Sequence, residues 1–260
     1  MQTGRWRLDG QRALVTGASA GIGLATCSEL LALGAQVLMV ARDADALEDA
    51  RAELESLHPG PEDPVLALAA DITDEDDRDA IIDWIEGLGG GLHILVNNAG
   101  TNQSKASVDY GEDEWRAIFE VNLFAAFELA RLLHPLLTRH AHSSIVNVGS
   151  VSGLTHVRTG APYGMSKAAL HQMTTNLAVE WAEDGVRVNA VAPWYIRTRR
   201  TAPKLADPDY LDDVLLRTPM GRIGEPEEVA AAIAFLCLPA AGYITGQCLA
   251  VDGGFVRYGF

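Results

Sequence analysis

Cysteine is scarce: Cys27, Cys237 and Cys248 are the only three, far apart and without a C-x-x-C pair. Such a set builds neither a disulfide framework nor a zinc knuckle. Each sits among apolar neighbours, as a small buried hydrophobe would, and no metal site is expected. Basic residues are also few, 20 against 35 acidic ones, for a formal net charge of −15. A phosphate-tracking surface needs clustered Lys and Arg, so nucleic acid is not expected as a partner. The longest apolar stretch, 229–238, is about half a membrane span and stops at Pro239. The opening Met1–Gly10 has no basic region followed by an apolar core, so no signal peptide is expected. Repeats, low-complexity tracts and linkers are missing as well. What remains is the expectation of a soluble, cytoplasmic chain without membrane contact.

What the chain does have is apolar material for a core, 48% of its 260 residues. Short Val/Leu/Ile/Ala runs with little polar alternation predict strands buried on both faces. They are Arg12–Thr16, Gln36–Ala41, Val65–Ala70, His93–Asn97, Ser144–Gly149, Val186–Ala192 and Gln247–Val251. Helical patterns lie between them at Gly23–Leu33, Ala44–Leu57, Glu75–Leu88, Glu112–Leu133, Tyr163–Glu183 and Pro226–Leu238. Thr73 followed by Asp76 resembles a capping arrangement, Pro226 suits a first helical turn, and Pro135 should end or kink the fourth helix. The alternation predicts an α/β fold: one Rossmann-type doubly wound, seven-stranded parallel sheet with helices on both faces, spanning residues 1–260. The segment 193–219 has no clear period and reads as a lid or substrate loop, or as a surface excursion.

Thr16-Gly17-Ala18-Ser19-Ala20-Gly21-Ile22-Gly23 follows the first strand and opens the first helix. Glycines there allow a tight turn, close approach of backbone to a pyrophosphate, and exposed N–H groups at a helix start. The spacing is G-x-x-x-G-x-G. At the end of the second strand an acid would bind ribose hydroxyls and repel a 2′-phosphate. This chain has Ala41 and then Arg42, a guanidinium suited to phosphate, so NADP(H) is expected over NAD(H). Arg42 could instead pair with Asp43 or Asp45. Asp71, with Ile72, is expected at the adenine, or as a cap. Asn97-Asn98-Ala99-Gly100 ends the fourth strand where ligands bind.

Ser150 follows the fifth strand, and Tyr163 and Lys167 lie four apart on one helix face. Hydride arriving at a carbonyl leaves an alkoxide that needs a proton. A phenol with a pKa of about 10 is a poor donor near neutrality. Lowering it by roughly three units takes about 4 kcal/mol, near what one ammonium about 4 Å away supplies at an effective dielectric of about 20. Ser150 would donate to the same oxygen, and Asn122 could hold a water that relays protons through Lys167.

Together these motifs resemble the short-chain dehydrogenase/reductase family over nearly the whole chain, with Asn189, Pro193 and Asp252-Gly253-Gly254 also matching. Arg7-Leu8-Asp9-Gly10 and Ser150-Val-Ser-Gly look like its tropinone-reductase-like branch. The resemblance implies a catalytic tetrad of Asn122, Ser150, Tyr163 and Lys167, and interconversion of a ketone and a secondary alcohol. It implies dinucleotide contacts from Gly17, Ser19, Ala20, Gly21, Ile22, Gly23, Asn98, Ala99, Gly100, Pro193, Ile196 and Thr198, with Lys167 on the nicotinamide ribose. It further implies a homo-oligomer, dimer or tetramer. The chain departs from the family in placing Trp194, not Gly, after Pro193. Ser150, His156, Tyr163, Trp194 and Tyr195 are the expected substrate pocket for a small carbonyl or alcohol. Two other readings are a non-catalytic nucleotide-binding regulator, which an intact Tyr163/Lys167 pair disfavours, and an epimerase or dehydratase, usually a longer chain.

Overall fold

The computed structural model describes residues 3–58 and 64–259; the start of the Met1–Gly10 stretch falls outside them. Seven strands form one parallel sheet: β1 (Arg12–Thr16), β2 (Gln36–Ala41), β3 (Val65–Ala69), β4 (Ile94–Asn97), β5 (Ser143–Val148), β6 (Val186–Pro193) and β7 (Cys248–Val251). Their order is β3-β2-β1-β4-β5-β6-β7, the doubly wound arrangement expected, with the direction of winding reversing between β1 and β4. The helices are α1 (Gly21–Ala32), α2 (Ala44–Leu57), α3 (Glu75–Gly87), α4 (Glu112–Phe119), α5 (Ala125–Leu137), α6 (Ala161–Glu180), α7 (Ala202–Leu205), α8 (Pro208–Leu216) and α9 (Pro226–Cys237).

Alternation along the buried strands splits the core in two. Ala13, Val15, Val37 and Met39 pack with Leu30, Leu47 and Ile233 on one face of the sheet. Leu14, Leu38 and Val40 point the other way, to Ile81, Leu129 and Leu177. All of these are essentially free of solvent. The apolar runs lack polar alternation because helices cover both faces.

Strand and helix ends agree with the sequence reading to within one to three residues, with four corrections. The long fourth helix is interrupted: a π turn, Glu120–Phe124, separates α4 from α5. The buried positions Ile118, Asn122, Ala125, Ala126 and Leu129 still follow at helical spacing across it, so the pattern conceals it. Pro135 does not end α5, which runs on to Leu137. It stands in the last turn, where its ring disturbs only the carbonyl one turn back. The cap of α3 is Asp74, whose carboxylate accepts from the Asp77 N–H at 3.1 Å, not Thr73. Finally, the aperiodic segment 193–219 holds two helices, α7 and α8, with Asp207 capping the second.

Candidate active site

The cleft lies at the carboxyl ends of β1, β4, β5 and β6. At Gly17 (φ +63°) a Cβ would stand 2.9 Å from the Ala99 Cα. At Gly23 it would stand 2.2 Å from the Gly17 carbonyl oxygen and 2.5 Å from Asn98 Nδ2. The turn therefore admits no side chain at either position. Asn98 holds it from below, donating from Nδ2 to the Thr16 and Gly17 carbonyls at 2.9 and 3.0 Å. Thr16 Oγ1 in turn accepts the N–H groups of Asn98 and Ala99, both at 3.1 Å.

Helix α1 begins at Gly21, two residues earlier than its pattern suggests. Ala20 precedes it in an extended conformation, with no side chain capping the first N–H groups. Ser19 and Ile22 are half-buried on either side. Thr198 closes over the turn, its methyl 3.3 Å from where a Gly21 Cβ would be. Ile196 is buried and tied to Gly224 by a lone parallel bridge, which fixes this loop against the chain entering α9.

Arg42 is exposed and pairs weakly with Asp71, at 3.5 Å. It does not pair with Asp43 or Asp45; Asp43 caps α2 instead. Asp71 Oδ1 accepts from the Thr73 N–H and hydroxyl at 2.9 and 2.8 Å, and Ile72 is buried beneath. Those bonds and Arg42 hold the Asp71 carboxyl below its usual range despite partial burial, the largest influence, which pushes the other way.

Ser150, Tyr163 and Lys167 converge, as their spacing requires. Ser150 is buried where β5 ends, and its Oγ accepts from the Ser152 N–H at 3.1 Å. Lys167 is buried too, and its Nζ donates to the Val148 carbonyl at 2.8 Å. Burial, and then the charge of Arg200, push its pKa down to about 7. Burial raises the Tyr163 phenol, while the Ser150 hydroxyl and Arg200 pull it back down. Lys167 Nζ stands 5.9 Å from the centre of the phenol ring, and burial leaves it only partly charged near neutrality.

Asn122 is buried beside them. Its Oδ1 accepts from the Thr101 N–H at 2.7 Å, and its Nδ2 donates to the Thr101 carbonyl at 2.9 Å and to Ser166 Oγ at 3.1 Å. The side-chain amide thus ties the chain after β4 to α6. It lies in the π turn, which the sequence pattern did not reveal.

A cavity of about 190 Å³ opens over the phenol, bordered by Asn102, Ser150, Tyr163, Trp194, Tyr195 and Arg200. His156 lies outside it. The turn Val151–Gly153 carries the chain away, and His156 lines a neighbouring hollow with Arg158 and Tyr210. Trp194 stacks on Phe255 at 3.7 Å and donates from Nε1 to Thr218 at 3.0 Å, so it both packs the loop and faces the cavity. Tyr195 is nearly buried, its hydroxyl bonded to that of Tyr210. Arg200, which the sequence reading passed over, reaches across the cleft to donate to the Gly100 carbonyl.

A doubly wound parallel sheet, a glycine turn without room for a side chain and a Ser–Tyr–Lys group at one cavity, its serine and lysine buried, define a nicotinamide-dependent oxidoreductase class. The chain belongs to the short-chain dehydrogenase/reductase family. A family model described as enoyl-(acyl carrier protein) reductase matches residues 17–256. A tropinone reductase homolog of Arabidopsis thaliana is 44% identical, covering 98% of this chain and 96% of that relative. Senescence-associated protein 13 of the same plant is 41% identical over 100% of this chain and 95% of its own. Among solved structures, a putative short-chain alcohol dehydrogenase from Sinorhizobium meliloti superposes with a TM-score of 0.90 at 39% identity, covering 97% of this chain and 98% of that one. A gluconate 5-dehydrogenase from Burkholderia cenocepacia, in complex with NADP and tartrate, gives 0.91 at 32% identity, covering 98% and 99%. The branch and the fold agree with the sequence reading.

Proposed function

We propose that residues 1–260 form one dinucleotide-binding unit that interconverts a ketone and a secondary alcohol with NADP(H). The convergence of Ser150, Tyr163 and Lys167 beside the glycine turn carries this reading. The residues present suit the cofactor. Gly17 and Gly23 leave the backbone bare for a pyrophosphate, and the uncapped start of α1 offers it N–H donors. Ser19, Ala20, Gly21, Ile22, Asn98, Ala99, Gly100, Pro193, Ile196 and Thr198 complete the binding groove. Ala41 leaves the end of β2 without an acid, and the exposed, loosely held Arg42 is available to a 2′-phosphate in preference to its 3.5 Å ion pair. The Burkholderia relative's complex with NADP supports the same preference.

Bound NADP(H) supplies or accepts the hydride. Tyr163 gives its phenolic proton to the ketone oxygen in reduction and recovers it in oxidation. Burial keeps the phenol protonated near neutrality, the form that reduction needs. Ser150 donates a hydrogen bond to the same oxygen. Lys167, partly charged, stabilises the phenolate left behind and would bond the nicotinamide ribose. Asn122 acts as a positioning residue, fixing Thr101 and Ser166 around Lys167.

Two further expectations stand as proposals. The exposed Phe124, just before α5, Phe127 on α5 and Val179 on α6 fit a homo-oligomer, a dimer or tetramer joined through these helices. A cytoplasmic location fits a chain in which no helix of the described residues is long and apolar enough to cross a membrane. The relatives' names span tropinone and gluconate and therefore assign no substrate.

The test is a side-by-side fluorescence titration with NADPH and NADH. NADPH should bind at least tenfold tighter, about 1.4 kcal/mol. Ala41→Asp with Arg42→Ile should weaken NADPH by about 2 kcal/mol. Tyr163→Phe should still bind NADPH yet lose at least about 10²-fold in turnover, the scale of a lost general acid. Substantial residual turnover would remove Tyr163 from its role, and tighter binding of NADH would replace the cofactor assignment.

A further inference from the structure

The cavity above Tyr163 has an unusual charge balance for this chain. Acids outnumber bases 35 to 20, yet Arg200 and Lys204 both line the cavity and no Asp or Glu does so. Three other cations around this rim are matched, Arg158 with Asp213 at 2.9 Å, Arg197 with Glu225 at 3.0 Å and Arg222 with Glu228 at 2.6 Å. Arg199 and Arg217 have no carboxylate partner among the described residues but line no part of this cavity. Among the described residues neither Arg200 nor Lys204 forms an ion pair. Of the five donors on a guanidinium, Arg200 is seen to use one, on the neutral Gly100 carbonyl. A carboxylate is a stronger acceptor than that carbonyl and would take its place.

The position matters as much as the charge. Arg200 is close enough to influence both Tyr163 and Lys167 electrostatically, so its guanidinium belongs to the reacting end of the cleft. The other polar groups bordering the cavity, Asn102, Ser104, Ser152 and Thr159, are neutral and suit hydroxyl or carbonyl groups. Trp194 and Tyr195 supply an apolar wall.

We propose that Arg200 and Lys204 form an anion-binding subsite that selects ketones and alcohols carrying a carboxylate, that is, keto acids and their hydroxy acids. The assignment rests on the oxidoreductase reading of the same cleft and goes beyond it in naming the substrate class. The carboxylate binds Arg200 and Lys204 while the ketone oxygen meets Ser150 and Tyr163. Because Arg200 is released from Gly100 in the process, anion binding also frees the carbonyl that it covers. An ammonium-bearing ketone meets two uncompensated cations at the same wall and is disfavoured.

Two measurements test this. With NADPH saturating, kcat/KM is compared for 4-oxopentanoate and benzoylformate against their methyl esters. The acids should be favoured at least tenfold over the esters. In Arg200→Met combined with Lys204→Met that acid-to-ester ratio should fall at least tenfold, and Arg200→Lys should retain part of it. Both residues are exposed, so folding is not at stake. Separately, without any cofactor, quenching of tryptophan fluorescence by benzoate and benzamide reports on the cavity that Trp194 borders. Benzoate should bind the wild-type protein more tightly than benzamide, and the double variant should lose the difference. Equal use of acid and ester, or a ratio that the double variant leaves unmoved, overturns the subsite. So does a loss of NADPH affinity in Arg200→Met with the ratio unchanged, which would make Arg200 a dinucleotide contact. A wild-type protein that binds no nicotinamide nucleotide would sink the oxidoreductase reading, while the benzoate measurement still decides the anion site.

Discussion

Beneath the cleft, Thr16, Gly17, Asn97, Asn98 and Asn147 are joined by buried and half-buried hydrogen bonds that run from strand end to strand end. Asn97 donates to Asn147 at 2.9 Å and Asn147 to Thr174 at 2.9 Å, locking β4, β5 and α6 together. Across the cleft, the rim from Trp194 to Phe255 is held differently. Trp194 stacks on Phe255, Tyr195 meets Tyr210 edge-on, and Val214 with Ile223 forms a small core of its own. The floor is positioned by polar side chains bonded to strand ends and to one another, around glycines that leave no room for a Cβ. The rim is positioned by aromatic and aliphatic packing in a cluster separate from the two main cores. Such a division lets one proton-transfer geometry serve many substrates.

The floor's rigidity includes a buried charge, and removing it should give the largest effect. Lys167 titrates near 7 in the folded protein against its ordinary 10.5. Between those values the unfolded chain binds more protons, so the wild-type protein gains stability as pH rises across that window. Below about 7 both states are charged and the full penalty of burial is present. Lys167→Met is expected to abolish turnover and to remove this pH dependence. It should therefore be more stable than wild type at pH 6. By pH 10 that advantage should have shrunk by several kcal/mol, at about 1.4 kcal/mol per pKa unit. Near pH 10 the variant should even be slightly less stable, because the Val148 carbonyl has lost its donor. Urea unfolding at the two pH values measures the difference, and equal differences would mean that Lys167 stays charged.

Next in size is a steric change at the same floor. Gly23→Ala puts a methyl group 2.2 Å from the Gly17 carbonyl oxygen, a contact that only backbone movement relieves. A loss of about 1–3 kcal/mol in stability is expected, together with weakened NADPH binding, because Asn98 would be pushed off both carbonyls. Thermal unfolding with and without NADPH separates the two effects. A variant that melts early yet keeps full NADPH affinity would show that the turn can shift without opening.

The floor could be read in the chain because its signals are local. The glycines stand within one turn, Tyr163 and Lys167 are one helical turn apart, and each buried strand is a continuous apolar run. The rim was less legible because its residues are placed by distant partners. His156 falls outside the cavity once Val151–Gly153 turns the chain. Arg200 reaches Gly100, a hundred positions away, with no spacing to announce it. Helix α8 did carry a usable signal, Asp207 before Pro208, a cap followed by a first-turn proline. The π turn at Asn122 left none, because the buried positions Ile118, Asn122, Ala125 and Leu129 keep a helical spacing through it.

The smallest effect sharpens the contrast from the rim's side. Tyr195→Phe keeps the ring that meets Trp194 at 4.6 Å and removes only the hydroxyl shared with Tyr210. Tyr210 is only half-buried, so its own hydroxyl can turn to water and no orphaned polar group remains. The stability lost should be about 1 kcal/mol or less, a fall of roughly 2–4 °C in Tm for a domain of this size. Kinetically, KM should rise more than kcat falls, because the wall of the cavity loosens while the floor beneath Tyr163 keeps its hydrogen bonds. A fall in kcat with KM unmoved would break the comparison: the rim would then be setting the geometry of proton transfer, and the two regions would act as one.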